Sequence, residues 1–342
     1  MKDRSEIGFQ KAFGRRRFIG ITGLAGLSLA TGDTAWARKP EFHSWQGQAL
    51  GADASIRIHH PDAKLARSLI GRSVAEVRRL EKVFSLYRTD SALSVLNRTG
   101  ALEGPPLDLV RLLSEAQMYA DMTGGAFDIT VQPLWRLYAD HFARKSAHPD
   151  GPTPQAIGDA LAHVDYKAVS IASDCVAFEK ANMAVTLNGI AQGYITDRVA
   201  ELLRQGGLEN VLMDLGEIRG LGEHPAGRPW RIGLKSSQAS GHINGIVELG
   251  ARALATSAGN GTAFDEDGRH HHLLDPRSGK SSRRYLSLSV AAPSATTADA
   301  LSTGLYHFTE DQLNAAIKKI PQVGVRATRA DGSIHNVQWT SG

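Results

Sequence analysis

Thr296-Thr297-Ala298-Asp299-Ala300-Leu301-Ser302-Thr303-Gly304-Leu305-Tyr306 reads as the opening of a helix. Thr296 or Thr297 can cap its first free N–H groups, and Asp299 suits the positive end of its dipole. On a helix Asp299, Ser302 and Thr303 stand at i, i+3 and i+4, so their oxygens share one face. One carboxylate with two hydroxyls is a hard, all-oxygen set of the kind Mg²⁺ accepts, with water or phosphate completing the shell. A capped helix with an acidic first turn, and no metal at all, accounts for the same three residues. The choice between the two rests on the remainder of the chain.

Upstream of this stretch, His270-His271-His272-Leu273-Leu274-Asp275-Pro276-Arg277-Ser278-Gly279 is the most unusual segment. Three adjacent histidines on a strand alternate faces and do not converge on one ion, which argues against zinc. His272 is the candidate base near neutral pH, while His270 and His271 read equally well as solvated or structural. Leu187-Asn188-Gly189-Ile190-Ala191-Gln192-Gly193-Tyr194 joins an expected strand to an expected helix. The free N–H groups of such a junction can hold phosphate oxygens, although neither a P-loop nor a dinucleotide fingerprint is present. Gly124-Gly125-Ala126-Phe127-Asp128-Ile129-Thr130-Val131 reads as a glycine pair entering a strand, where backbone can approach a ligand closely. Tyr87, in Phe84-Ser85-Leu86-Tyr87-Arg88, can stack on an aromatic ring or cover the core.

Element patterns place helices and strands in alternation without a strict βαβ rhythm, so the fold class is α+β. Residues 43–60 read as strand–turn–strand. Ile70, Val74, Val77 and Phe84 recur at helical spacing, and further helices are expected over 106–122, 191–205 and 311–320, the last opened by a Thr309/Gln312 capping box. Strands are expected at 168–171, 176–178, 184–187, 211–215, 230–234, 245–249 and 286–291, with a polar, Pro-rich surface loop at 144–158. No repeat or low-complexity linker divides the chain, so residues 38–342 are expected to form one compact unit.

Residues 1–37 read differently. Arg15-Arg16-Arg17-Phe18-Ile19, a short apolar run and Ala35-Trp36-Ala37 form a signal peptide of twin-arginine character, which implies a periplasmic protein exported already folded. The chain has 39 Lys and Arg against 35 Asp and Glu. Removing residues 1–37 leaves 33 against 32, so the body is nearly neutral and offers no electrostatic case for nucleic acid. Cys175 is the single cysteine, which excludes an intrachain disulfide and a Cys-based metal site.

Taken in chain order the motifs are more specific than any one of them. Phe-Ser-x-Tyr with Ser91 and Asn97 is followed by Gly-x-Phe-Asp-Ile-Thr-Val-x-Pro-Leu and by Gly-Ile-Ala-x-Gly-Tyr with Asp197. Ala-Thr-Ser, His-x-x-Asp-Pro-Arg-Ser-Gly and Ala-Asp-Ala-x-x-Thr complete the series. This set resembles the ApbE family, the FAD:protein FMN transferases, over roughly residues 45–308. The resemblance implies a single ApbE-like, T-fold-like unit of mixed sheets flanked by helices, with an FAD cleft between two subdomains. It implies Mg²⁺-dependent transfer of FMN from FAD to a Thr or Ser hydroxyl of a target flavoprotein, with AMP released. Some members instead hydrolyse FAD to FMN and AMP, and a non-catalytic flavin-binding or assembly role is the alternative on this scaffold.

Position by position, the resemblance implies metal ligation by the Gly189 carbonyl, Asp299, Ser302 and Thr303. It implies flavin contacts from Leu50, Tyr87, Ala126, Phe127, Asp128, Thr186, Gln192 and Leu273. Thr186 stands where the family usually has Asp, Gln192 where it has Lys or Glu, and Leu215-Gly216-Glu217-Ile218 has one glycine fewer than usual. The twin-arginine signal and the Gly-Glu-Ile turn are similar to exported members linked to nitrous-oxide reductase maturation, whose target is a membrane flavoprotein.

Overall fold

The protein is described here by a computed structural model covering residues 42–235 and 243–339; the expected signal peptide at 1–37 lies outside the described residues. Its centre is an eight-stranded antiparallel sheet. The strands are β1 (Phe42–Ala49), β2 (Ala52–His59), β6 (Val211–Asp214), β7 (Ile218–Leu221), β10 (Ala253–Ala258), β11 (Tyr285–Ala292), β12 (Gly324–Arg329) and β13 (Ile334–Val337), in that spatial order. β1 and β2 form the expected hairpin around Leu50-Gly51, both at positive φ (48° and 80°), as a two-residue turn requires. Ala52, Ala54, Ile56 and Ile58 alternate inward along β2, as a half-buried strand should. A smaller sheet joins β3 (Ala101–Glu103), β5 (Cys175–Phe178) and β4 (Val169–Ile171), and β8 (Arg231–Lys235) pairs with β9 (Ile243–Glu248).

Eight α-helices are found among the described residues: α1 (Ala63–Phe84), α2 (Ala92–Thr99), α3 (Leu107–Met122), α4 (Gln132–Phe142), α5 (Pro154–Leu161), α6 (Ala191–Gln205), α7 (Ala295–Leu305) and α8 (Glu310–Ile317). Asp62 opens α1 by accepting from Lys64 N and Leu65 N, and the helix buries Ala66, Leu69, Val77, Leu80 and Phe84 at the expected spacing. The Thr309/Gln312 capping box of α8 is present with both reciprocal bonds. α6 and α7 supply Ile195, Val199, Leu203, Leu301 and Leu305 to the main core, which also holds Leu288 and Val290 of β11.

The two central helices touch at Gly193. A Cβ there would lie 2.3 Å from the Ala295 carbonyl oxygen and 2.8 Å from Asp299 Cβ, so only glycine allows this approach.

Four local expectations are corrected. The glycine pair does not enter a strand. Gly124 and Gly125, at φ 59° and 76°, reverse the chain after α3, and Asp128 then caps a 3₁₀ turn at Ile129–Val131 that runs into α4. Pro133 in the first turn of α4 favours the helix, because its missing N–H is not needed there. Residues 184–187 join no ladder among the described residues; Asn97 brackets Val185 through N–H···Oδ1 (2.7 Å) and Nδ2–H···O (2.8 Å) bonds. The loop at 144–158 ends early, because Thr153 caps α5 and Pro154 occupies its first turn. In α7 the cap is Ser294, which accepts from Thr297 N, rather than Thr296 or Thr297; Asp299 therefore lies beyond the first turn.

Candidate active site

Asp299 is buried, and its Oδ2 accepts the Gly193 backbone N–H at 2.9 Å. The carboxylate of α7 thus sits at the N-terminus of α6, whose dipole favours its charged form. This changes the expected role of the 189–193 junction. The Ile190 and Ala191 N–H groups both bond to the Leu187 carbonyl and that of Gly193 to Asp299, so these three donors are not available to phosphate.

Ser302 is 1% exposed; its Oγ donates to the Asp299 carbonyl at 3.0 Å and lies 2.8 Å from Ser257 Oγ. Ser257, on β10, is also 3.5 Å from Thr303 Oγ1. A Cβ at Gly189 would come within 2.9 Å of Thr303 Oγ1, so the bare glycine backbone faces that hydroxyl. The four candidate metal positions are therefore drawn together by α7, β10 and the start of α6. Among the described residues no group of three His, Cys, Asp or Glu could hold a metal ion. A cation here would depend on hydroxyl and carbonyl oxygens beside one carboxylate, a donor set that fits Mg²⁺ and not a soft metal.

Sequence reasoning missed Glu217 as a member of this site. It is buried, and its carboxyl is pushed well above the usual range by burial and then by the negative charges of Asp299 and Asp214; one hydrogen bond from the Thr256 backbone does not offset this. The motif Leu-Gly-Glu-Ile carried a weak signal, an acid inside an otherwise apolar strand approach. Its burial follows from Ile218 pairing with Leu254, which only the tertiary fold supplies.

Gln192 lies beside it. Its side chain is 3% exposed, and a Cβ on Gly216 would fall 2.3 Å from Nε2, so the amide is laid against that glycine. Among the described residues Nε2 has no hydrogen-bond acceptor. An unsatisfied buried donor costs about 1–3 kcal/mol, which marks the amide as a group waiting for a ligand or water oxygen.

The 126–128 segment abuts this face. A Cβ at Gly304, next to Thr303, would be 2.8 Å from Phe127 Cβ. Ala126 and Phe127 are buried, and the Phe127 N–H donates to Thr123 Oγ1 at 3.0 Å. Asp128 accepts from Thr130 N (2.7 Å), Thr130 Oγ1 (2.6 Å) and Tyr166 N (3.2 Å), and burial pushes its carboxyl up to about 6. The Phe127 backbone N–H and the Asp128 carboxylate are thus committed to local structure. Thr186 is bound through its N–H to the Ile129 carbonyl at 2.8 Å, directly beside this segment.

Leu50 and Tyr87 share a different corner, at the end of α1. Glu81 Oε1 accepts the Leu50 N–H at 2.6 Å, and Ser85 Oγ accepts the Tyr87 N–H at 3.1 Å. The Tyr87 residue is 75% exposed, so it does not cover the core. Leu273 is buried in the main core, and His272 is half-buried, with Nδ1 3.1 Å from the Thr262 carbonyl. That contact selects the tautomer with the proton on Nδ1 and the basic lone pair on Nε2. His271 is buried against Tyr306, burial lowers its pKa, and its Nε2 lies 2.8 Å from the Ser282 carbonyl, a structural role.

His307, buried beneath this loop, has its pKa driven down to about 4 by burial. The folded value lies below the unfolded one, so the stability His307 contributes is present above pH 6.5 and is lost as pH falls toward 4. Asp128 acts in the opposite sense, since its raised pKa means that protonation on acidification favours the fold. The wild-type curve therefore hides both effects. The unfolding free energy of His307→Gln relative to wild type is expected to shift by about 3 kcal/mol in favour of the variant between pH 7 and pH 4, measured by urea titration.

The family model described as ApbE family matches residues 50–327. The FAD:protein FMN transferase of Vibrio cholerae is 32% identical over 317 residues, covering 89% of this chain and 92% of that protein. That of Haemophilus influenzae is 28% identical over 309 residues, covering 85% and 88% respectively. The crystal structure of the ApbE protein of Thermotoga maritima superposes with a TM-score of 0.78 at 26% identity, covering 87% of this chain and 97% of that one. The flavin transferase ApbE of Vibrio cholerae does so with a TM-score of 0.74 at 28% identity, over 88% and 98%. A match across most of the length, on a fold of the same architecture, shows that this chain belongs to the ApbE family.

Proposed function

We propose that this chain transfers FMN from FAD to a Thr or Ser hydroxyl of a target flavoprotein, releasing AMP, with Mg²⁺ as the metal. Family membership supports the coarse activity: the chain is a transferase of the FAD:protein FMN type. The observation that carries the finer reading is the convergence of Asp299, Ser302, Thr303 and Gly189 beside the 126–128 segment. Gly189 (through its carbonyl), Asp299, Ser302 and Thr303 would hold Mg²⁺, which when bound neutralises pyrophosphate charge and stabilises the departing AMP oxygen.

The chain's own residues do the rest. The backbone at Ala126–Asp128 and the Gln192 amide bind the dinucleotide, with Thr186, Leu273, Leu50 and Tyr87 as the remaining flavin contacts. His272 Nε2 takes the proton from the acceptor hydroxyl as its oxygen bonds to the FMN phosphorus and the bond to the AMP oxygen breaks. The same site with water in place of the hydroxyl would give FMN and AMP. We place the mature protein in the periplasm, exported through the twin-arginine signal at 1–37, with a membrane flavoprotein of the respiratory or nitrous-oxide reductase maturation type as acceptor.

The test incubates the protein with FAD, Mg²⁺ and a peptide bearing one Thr, followed by mass spectrometry. A peptide heavier by FMN less water, with equimolar AMP, is expected. FMN and AMP without labelled peptide would replace transfer by hydrolysis. FAD left intact in the presence of Mg²⁺ would leave only a flavin-binding or assembly role.

A further inference from the structure

A second cleft of the described surface is not part of the site above. It has a volume of about 420 Å³ and lies between α3, α6, β7 and the start of α7. None of its lining residues belongs to the candidate metal or flavin set. Its charged lining is unevenly paired. Arg219 bonds to Asp197 at 2.9 Å and to the Pro293 carbonyl at 2.8 Å. Asp197 is further committed to the Ala295 and Thr296 N–H groups, which it caps at 2.9 and 2.8 Å. Arg204 pairs with Glu201 at 2.8 Å.

Two guanidiniums remain, Arg111 and Arg198, against one carboxyl, Glu115. Among the described residues Arg198 has no ion pair within 4.0 Å, although Glu76, Asp108 and Glu201 are near enough to feel its charge. Its Nε is buried without an acceptor among the described residues, and so is Nε of Arg219. Two buried guanidinium N–H groups without an acceptor are costly, so an acceptor supplied to them is favourable. Burial and the charge of Asp197 push the Glu115 carboxyl upward, and the other two lining carboxylates, Asp197 and Glu201, are engaged by Arg219 and Arg204.

We infer that this cleft is a second ligand site that binds a phosphate group through Arg111, Arg198 and Arg219. Planar guanidinium forks match tetrahedral oxyanions, and the cleft is far larger than a bare anion, leaving room for the remainder of a small phosphate ester. The site is independent of flavin transfer. It lies on the flank of α6, and Asp197 ties it to the start of the helix that carries Asp299.

The probes are inorganic phosphate and glycerol 3-phosphate, titrated calorimetrically into the full chain at constant ionic strength without Mg²⁺ or FAD. Saturable one-to-one binding is expected, weakened at least tenfold by Arg198→Gln and by Arg111→Gln, and unchanged by Asp299→Ala. Arg111 is exposed, so its variant carries the test should Arg198→Gln not fold. Tighter binding of the ester than of inorganic phosphate points to a phosphorylated metabolite, and the reverse to free phosphate; both support the site. Absence of saturable binding by either probe overturns the inference. So does binding that survives both arginine variants, or that disappears in Asp299→Ala, which would place the anion at the metal site.

Discussion

Asp299→Ala is expected to reduce FMN transfer by about 10³-fold or more while leaving the protein folded, because it removes the one carboxylate of the proposed metal set. The structural cost is small for a specific reason. The substitution strands the buried Gly193 N–H, at a cost of about 1–3 kcal/mol. It also removes the negative charge that, with burial, holds the Glu217 carboxyl high, and so relieves a repulsion inside the core. The two effects oppose each other, so the melting temperature should stay within a few degrees of wild type. Mg²⁺ should raise the melting temperature of the wild type and not of the variant. Retained transfer, or a retained Mg²⁺ shift, would separate Asp299 from the metal and remove the basis of the proposed mechanism.

Gly193→Ala is expected to be the most destabilising methyl addition in the central helices. Alanine normally gains about 1 kcal/mol over glycine inside a helix. At Gly193 the new Cβ would lie 2.3 Å from the Ala295 carbonyl oxygen, a backbone atom that cannot rotate away. α6 and α7 must separate, at a net cost of about 3 kcal/mol. The displacement carries Asp299 with it, and a misplacement of about 1 Å costs about 10²-fold in rate. Gly71→Ala in α1 is the matched control: a Cβ there meets nothing within 4 Å, so the same change should stabilise by about 1 kcal/mol. Urea denaturation of the two variants should thus show opposite signs. Equal stabilisation would mean that the helices do not touch at Gly193.

Part of the site is legible in the amino-acid sequence. Asp299, Ser302 and Thr303 share a face because helical spacing places them there, and the fold adds Ser257 as their neighbour on β10. The Phe127 and Asp128 positions are marked by their motif, yet the motif misleads about local conformation. Alternating apolar residues after two glycines suit a strand, and only the Asp128 cap and Pro133 turn them into 3₁₀ and α-helix. Glu217 leaves almost no trace in the sequence, since Asp299 and Thr256, which act on its carboxyl, are distant from it along the chain.

Local chemistry alone determined the helices that carry their own caps and periodicity, α1 and α8 among them, together with the β1–β2 hairpin and the shared face of the metal set. These depend on interactions within a few residues, which a sequence states directly. The tertiary structure alone decided that the Asp299 carboxylate rests on the α6 N-terminus, that Glu217 is buried near it, and that the Gln192 amide lies on Gly216 without an acceptor among the described residues. Burial and dielectric are properties of what packs from other elements, and no spacing along the chain encodes which elements those are.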